Sequence, residues 1–415
     1  MDNITRARNT TLGAMIMTAF AIGSYVTIPV FILPLIMKLG VGVGEITLVF
    51  TFAGIGGLVT SFLLGTLVKK IPVKVLVVSA GILLAGFFVI LGTATNIVLI
   101  YIGAIVFGYT TTVGGFGIAQ TAITWWNAAN IGKKLSLVSV GVGIAGMIFP
   151  IVVGILLNKM SFQVISIGVG VVSGSIMILC GLFLISDHPS KYDLTAVGAE
   201  EASAQQANQA GASTKKSLSV KQIISTQYFW FIIISLFIMT LASTGFTNNA
   251  PTFYTTIGIS ETMAATLAGI TSGVAILFSL LFGIMVDKFG PVKSITIYGV
   301  LIAIVFVGAT FLSGVVGGAI IAVLLGLKTM TGMIGSMTLP RLFGRKEAAS
   351  VIGYSMVSQN IGAMFGAPFA GFLFDAFGNY NTFFLTAAAM VVVAVIFINL
   401  GSGKKAYEKV DQLAA

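Results

Sequence analysis

Val315-VGGAIIAVLLGL-Lys328-TMTGMIGSMT-Leu339 carries a single charge in 25 residues. As a helix at ~1.5 Å per residue it is about 37 Å long, more than the ~30 Å hydrocarbon core of a bilayer. Lys328 stands 11 residues from the nearer end of the stretch, or roughly 16 Å, which is beyond the reach of a lysine stem snorkelling to the interface. A charge held at that depth is expensive and marks a candidate functional residue. No acidic residue shares the stretch, so an anionic ligand is the natural counter-charge. Pairing with helix carbonyls or with Gln359 is the structural alternative.

The same kind of segment recurs along the chain. Apolar runs fall at 10–37, 46–68, 75–95, 98–124, 135–157, 164–185, 228–256, 263–286, 294–312, 315–339, 348–373 and 382–400. The chain is 57% hydrophobic and 8% charged, against roughly 25% charged in a soluble globule. A core alone cannot absorb that much apolar sequence, so lipid must be the main solvent. The short alternating strands of a transmembrane barrel are absent. The expectation is an all-α membrane protein with twelve transmembrane helices.

The net charge of +10 resembles a nucleic-acid signal until its distribution is read. Of the 22 basic residues, Lys38 and Lys159 fall in turns read as external and Lys328 is intramembrane. The other 19 cluster on one side, at Arg6 and Arg8, Lys69–Lys74, Lys133 and Lys134, the 191–221 region, Lys288 and Lys293, Arg341–Lys346, and Lys404–Lys409. Basic residues stay cytoplasmic, so both termini are expected in the cytoplasm, in a plasma (inner) membrane. The first span is too long for a signal-peptide core and is expected to be retained. The single cysteine, Cys180, lies in a span, which excludes a disulfide framework.

Residues 186–221 are polar, with an Ala/Gln/Asn/Gly/Ser run near 200–213. They read as a flexible cytoplasmic linker, dividing the chain into a six-helix bundle at 1–185 and another at 222–415. The halves share a weak repeat. Gly65-TLVKKIPV-Lys74 follows the second span, and Gly283-IMVDKFGPV-Lys293 follows the eighth. Gly65, Lys69, Gly283, Asp287, Lys288 and Gly290 are the marked positions of these two turns. Glycines at 141, 143, 146 and 154 with Pro150, and at 362, 366 and 371 with Pro368, form a looser match between the fifth and eleventh spans.

Twelve spans, a six-plus-six split and the Gly-x-x-x-Asp-Lys-x-Gly turn resemble the major facilitator superfamily, over essentially the whole chain. The resemblance implies the major facilitator fold, two pseudo-symmetric six-helix bundles moving about a central site lined by the first, fourth, seventh and tenth spans. The first-half turn departs from the pattern, with Lys69 where the family usually has Asp. Phe229-Trp230, Trp125-Trp126 and Asp287-Lys288-Phe289-Gly290 are similar to the oxalate/formate antiporter and monocarboxylate transporter branch. That branch's oxalate carriers clamp a dianion between an Arg in the eighth span and a Lys in the eleventh. Ser279 and Gln359 stand there instead, which argues against oxalate and for an anion with one carboxylate.

Lys328 is the expected charge partner of that carboxylate. Thr331 shares its helical face. Gln359 and Asn360 of the eleventh span, Asn248 and Asn249 of the seventh, Tyr25 of the first and Gln120 of the fourth are the expected orienting groups. For each amide, helix-to-helix hydrogen bonding is an equally good reading, since buried amides need partners.

No Asp or Glu lies within a span interior, so an intramembrane carboxylate relay is missing. Coupling to a proton or a counter-anion must use Lys328, an interfacial carboxylate or the ligand itself. Enzyme chemistry has no support. The only histidine, His188, is in the linker, and there is no metal-ligand spacing, Walker motif or Ser–His pair at membrane depth. Neither cofactor nor metal is expected, nor nucleic acid as a partner. The partners expected are a small anionic substrate and the lipid bilayer, with the chain monomeric. Two rivals stay open. One is an exporter of amphipathic or drug-like molecules, the other a membrane sensor that binds without transporting.

Overall fold

The computed structural model describes residues 2–128, 131–198, 220–330, 334–335, 338–339, 342–343 and 348–414. It is all-α. Among the described residues, eleven helices are long and apolar enough to cross a membrane. They are α1 (Asn3–Leu39), α2 (Val43–Lys70), α3 (Val73–Thr93), α4 (Ile97–Trp126), α5 (Ile131–Leu157), α6 (Phe162–Leu184), α7 (Gln227–Thr256), α8 (Glu261–Phe289), α9 (Pro291–Ala309), α11 (Ala348–Phe377) and α12 (Asn381–Ser402). The tenth span is the shorter apolar helix α10, Gly314–Leu327. A terminal helix, α13 (Lys404–Ala414), follows.

Local chemistry sets the ends. Asp2 caps α1 by accepting from Thr5 N at 3.3 Å, satisfying one of the donors that the first turn leaves unpaired. Gly40 ends the same helix at φ 67°, with its N–H on the Ile36 carbonyl. This is the left-handed cap that glycine adopts without strain. Gly290 ends α8 in a different positive-φ conformation, φ 79° and ψ 162°, that also suits glycine, and Pro291 opens the next helix.

By their contacts the residues form two compact units, Met1–Gly40 with Phe52–Ser213, and Val41–Thr51 with Thr214–Ala415. In the first unit, small residues bring helices close enough for backbone contact, the mode expected where lipid offers no hydrophobic drive between helices. A Cβ on Gly81 of α3 would lie 2.7 Å from the Gly174 carbonyl of α6, and one on Gly174 would lie 2.5 Å from the Gly81 carbonyl. Ser166 of α6 donates to the Phe88 carbonyl at 2.7 Å along the same seam.

The start of the linker is ordered. Residues 186–198 lie against the first unit as a strap, and residues 199–219 are outside the described set. Asp187 Oδ1 accepts from Val73 N at 2.7 Å and so caps α3, whose own N-cap, Pro72, has no side-chain bond to give. Trp126 donates its indole N–H to the Asp187 carbonyl at 3.0 Å. Lys191 pairs with Asp187 at 3.2 Å, and the Arg6 guanidinium stacks over Tyr192 at 3.9 Å. Residues 186–198, read from composition as flexible, are thus held in place, because Asp187 and Tyr192 find partners on α1, α3 and α4.

The second unit has an aromatic centre. Phe246 and Phe253 of α7, Phe306 of α9 and Phe383 and Phe384 of α12 are all buried. Their rings meet edge-on or tilted at 4.9–6.3 Å, as in Phe253–Phe384 and Phe306–Phe383, the geometry favoured by ring quadrupoles. α11 lies on α7 through Gly362 and Gly366, where an added Cβ would meet the Phe237 carbonyl at 2.6 Å and the Leu241 carbonyl at 2.5 Å.

Candidate functional site

In the second unit the backbone changes character at Lys328. The α-helix Gly314–Leu324 passes into a 3-10 helix, Leu325–Met330, that contains it. A Cβ on Gly326 would lie 3.2 Å from Ala275 N, so α10 runs close against α8 just before the lysine. The Lys328 side chain and all of Thr331 lie outside the described residues.

The amides expected around it separate into two kinds. Asn249 is 1% exposed. Its Nδ2 donates to the carbonyls of Gly245 at 2.9 Å and Ala367 at 3.1 Å. Its Oδ1 accepts from the Tyr380 hydroxyl at 3.3 Å. Asn249 thus ties α7 to α11 and to the turn before α12. Asn248 is also buried. On α11, Ser358 donates to the Ile233 carbonyl at 2.7 Å and Gln359 donates to the Ser355 carbonyl at 3.3 Å. Gln359 is half-buried and Asn360 exposed, so both retain polar atoms that can meet a ligand.

In the first unit Tyr25 of α1 is half-buried. Its ring lies parallel to Phe107 of α4 at 6.3 Å, and Phe107 stacks in turn on Phe87 of α3 at 4.3 Å. Gln120 is exposed. Between Phe107 and Gln120, α4 leaves α-geometry in a five-residue π turn, Val113–Gly117, with Gly115 at φ −85°, ψ −140°. Thr18 of α1 donates to the freed Gly115 carbonyl at 3.2 Å. Sequence reading missed this break. Its signal is the run Gly114-Gly115-Phe116-Gly117, three glycines in four residues of a span. Interruptions of this kind are frequent at functional sites.

Of the turn residues, Gly65 and Lys69 are exposed at the end of α2. Lys288 is exposed beside the Phe289 ring at 5.5 Å, and Gly290 supplies the positive φ of its turn. Gly283 and Asp287 lie on α8, and their surroundings are outside the described set. No group of three metal-ligating side chains occurs among the described residues.

The profile of the Major Facilitator Superfamily matches residues 13–341. The chain belongs to that superfamily. It is a multi-pass membrane transporter, not an enzyme, and its partner is a small molecule. The search of curated protein sequences gave no match. Among solved structures, a mutant of the nucleoside transporter NupG is similar at TM-score 0.74 and 16% identity, over 95% of this chain and 99% of that one. A D-xylose–proton symporter is similar at TM-score 0.72 and 14% identity, over 94% and 96%. A bacterial homologue of the human lysosomal transporter Spinster, inward-facing and unoccupied, gives TM-score 0.66 and 14% identity, over 98% and 97%. At these identities the likeness is one of fold, and this major facilitator shares it over 94–98% of its length.

Proposed function

We propose that this major facilitator carries a small organic anion, a monocarboxylate, through alternating access to a central site that contains Lys328. One observation carries the reading: Lys328 stands in the non-α segment Leu325–Met330, within a span that has no other charge. The fourth helix of the first half is interrupted too, at Val113–Gly117. Paired interruptions in corresponding helices of two halves are the best pointer to a transporter's binding site.

Lys328 supplies the attraction for the carboxylate. Gln359 and Asn360 keep polar atoms for the rest of the ligand, and Asn248 and Thr331 complete the second half's contribution. Tyr25 offers an aromatic wall and Gln120 a further amide from the first half. Asn249 supports the site through α7 and α11. Coupling to a proton or a counter-anion falls to Lys328, an interfacial carboxylate or the substrate. The basic turns support an orientation with both termini in the cytoplasm, in a plasma (inner) membrane.

A thermal-shift screen of the purified protein tests the substrate class. Ligands that bind the folded state raise its apparent stability by mass action. Monocarboxylates should raise the unfolding temperature, and dicarboxylates, nucleosides, sugars and amphipathic cations should not. A shift with nucleosides or cations alone contradicts the reading.

A further inference from the structure

The first turns of α2 are packed with the wrong half of the sequence. Val41–Thr51 belongs to the compact unit otherwise made of Thr214–Ala415, while Phe52 onward belongs to the other unit. The anchor is Asp375, at the far end of α11. Its Oδ1 accepts from Val43 N at 2.9 Å and its Oδ2 from Gly44 N at 2.7 Å, across more than 330 residues of chain. A carboxylate on two first-turn N–H groups satisfies donors that the helix cannot satisfy itself and meets the positive end of its dipole. Glu45 takes a third, accepting from Gly42 N at 3.2 Å.

The rest of the contact follows one face of each helix. Gly44, Thr47 and Thr51 repeat at helical spacing, as do Met364, Gly371 and Asp375. A Cβ on Gly371 would lie 2.9 Å from Gly44 Cα and 2.7 Å from Thr47 Oγ1, and a Cβ on Gly42 would lie 2.6 Å from Asp375 Oδ2. One on Gly44 would strike the Phe372 ring. Thr51 donates to the Met364 carbonyl at 2.6 Å. Small residues and hydrogen bonds make most of this seam, and the Phe372 ring that lies over Gly44 is 47% exposed and so not locked in an interior. The same unit's interior is closed by interdigitated Phe246, Phe306, Phe383 and Phe384. A seam of glycine and threonine can part without leaving an apolar cavity. The exposed Asp375 carboxylate can then be hydrated in place of its helix.

We propose that Asp375 is a positioning residue of the transport cycle. Its carboxylate latches the start of α2 onto α11 in one state and releases it in the other, so that Asp375 sets the ratio of docked to undocked forms. The latch is independent of which substrate is carried, and of Lys328.

The test uses spin labels on Glu45→Cys and Ala376→Cys, both exposed positions, with Cys180→Ala as background, in lipid nanodiscs. Electron–electron distance distributions are recorded without ligand, with Asp375 intact and as Asp375→Ala. The latch predicts a dominant short distance with Asp375 intact. In Asp375→Ala it predicts about a tenfold shift of the population ratio to a longer distance, and partial recovery in Asp375→Glu. If Asp375→Ala cannot be purified folded, Asp375→Asn keeps the shape, loses the charge and should show a smaller shift in the same direction. A lowered unfolding temperature with an unchanged short distance would make Asp375 a static cap and overturn the proposal. An unchanged distribution in Asp375→Asn, if only that variant folds, overturns it equally.

Discussion

Tyr380 donates its phenolic hydrogen to Asn249 Oδ1 at 3.3 Å, while Asn249 Nδ2 holds the carbonyls of Gly245 and Ala367. One amide therefore joins α7, α11 and the turn leading into α12. Asn249→Ala leaves a buried hydroxyl and a helix carbonyl unpaired. It should cost about 2 kcal/mol, at ~1–3 kcal/mol for each buried group stripped of its partner. Chemical unfolding in detergent measures this. Gln359→Ala, which removes a long bond at 3.3 Å to the Ser355 carbonyl, should lose less stability and more ligand affinity.

The same tyrosine fixes a pH dependence. Burial, and then the nearby Asp375 carboxylate, push the Tyr380 phenol well above its ordinary value. The folded state therefore holds this proton more tightly than the unfolded chain. Its contribution is fully present below the unfolded value, about pH 10, and is lost as pH rises above it. Unfolding temperature should be insensitive to Tyr380 near neutrality and fall in alkali. Tyr380→Phe should be less stable at neutral pH, through the lost bond to Asn249, and fall less steeply above about pH 10. An identical alkaline slope in both proteins counts against the assignment.

Thr18 and the π turn in α4 make a third case. Thr18→Val keeps the shape and removes the donor to the Gly115 carbonyl. At a net ~1 kcal/mol per hydrogen bond, stability should fall by about that much. The initial rate of transport should change more than stability does, because the bond holds α1 to the one non-α segment of α4. A rate equal to that of the parent protein would place the break outside the working site.

Gly290 tests the turn between α8 and α9. Its φ of 79° with ψ of 162° is a conformation that essentially only glycine adopts, and Gly290→Ala should destabilise by about 1–3 kcal/mol. Gly65 of the first-half repeat lies instead inside α2, with no positive φ and no neighbour within 4 Å of an added Cβ. Gly65→Ala should stabilise by about 0.5–1 kcal/mol, the difference between glycine and alanine inside a helix. Thermal unfolding of the two variants side by side decides it.

The spans were legible because lipid imposes one rule on every segment: about 20 apolar residues with their backbone satisfied internally. The seam between Gly44 and Gly371 was not legible, since nothing local in a Gly–Thr pattern names a partner more than 300 residues away. Nothing in the sequence around Asp375 hints that it caps α2. The role of Asn249 was one of two readings that its residue type allows, and only the positions of Gly245, Ala367 and Tyr380 define its bonds. The strap at 186–198 was hidden because composition reports low hydrophobicity, while Asp187 and Tyr192 are held by a helix N-terminus and an arginine plane. Lys328 was legible from charge alone, and its 3-10 backbone adds a local reason for that position to stand apart.

The central claim is that Lys328 meets the carboxylate of the transported anion. Uptake of a radiolabelled monocarboxylate, chosen as the best stabiliser in the thermal-shift screen, should be measured in proteoliposomes for Lys328→Ala and Lys328→Gln beside the parent protein. The account predicts loss of at least 90% of the uptake rate, roughly the tenfold that 1.4 kcal/mol of lost binding corresponds to, with both variants folded and inserted. Uptake by either folded variant at the parent rate would contradict it.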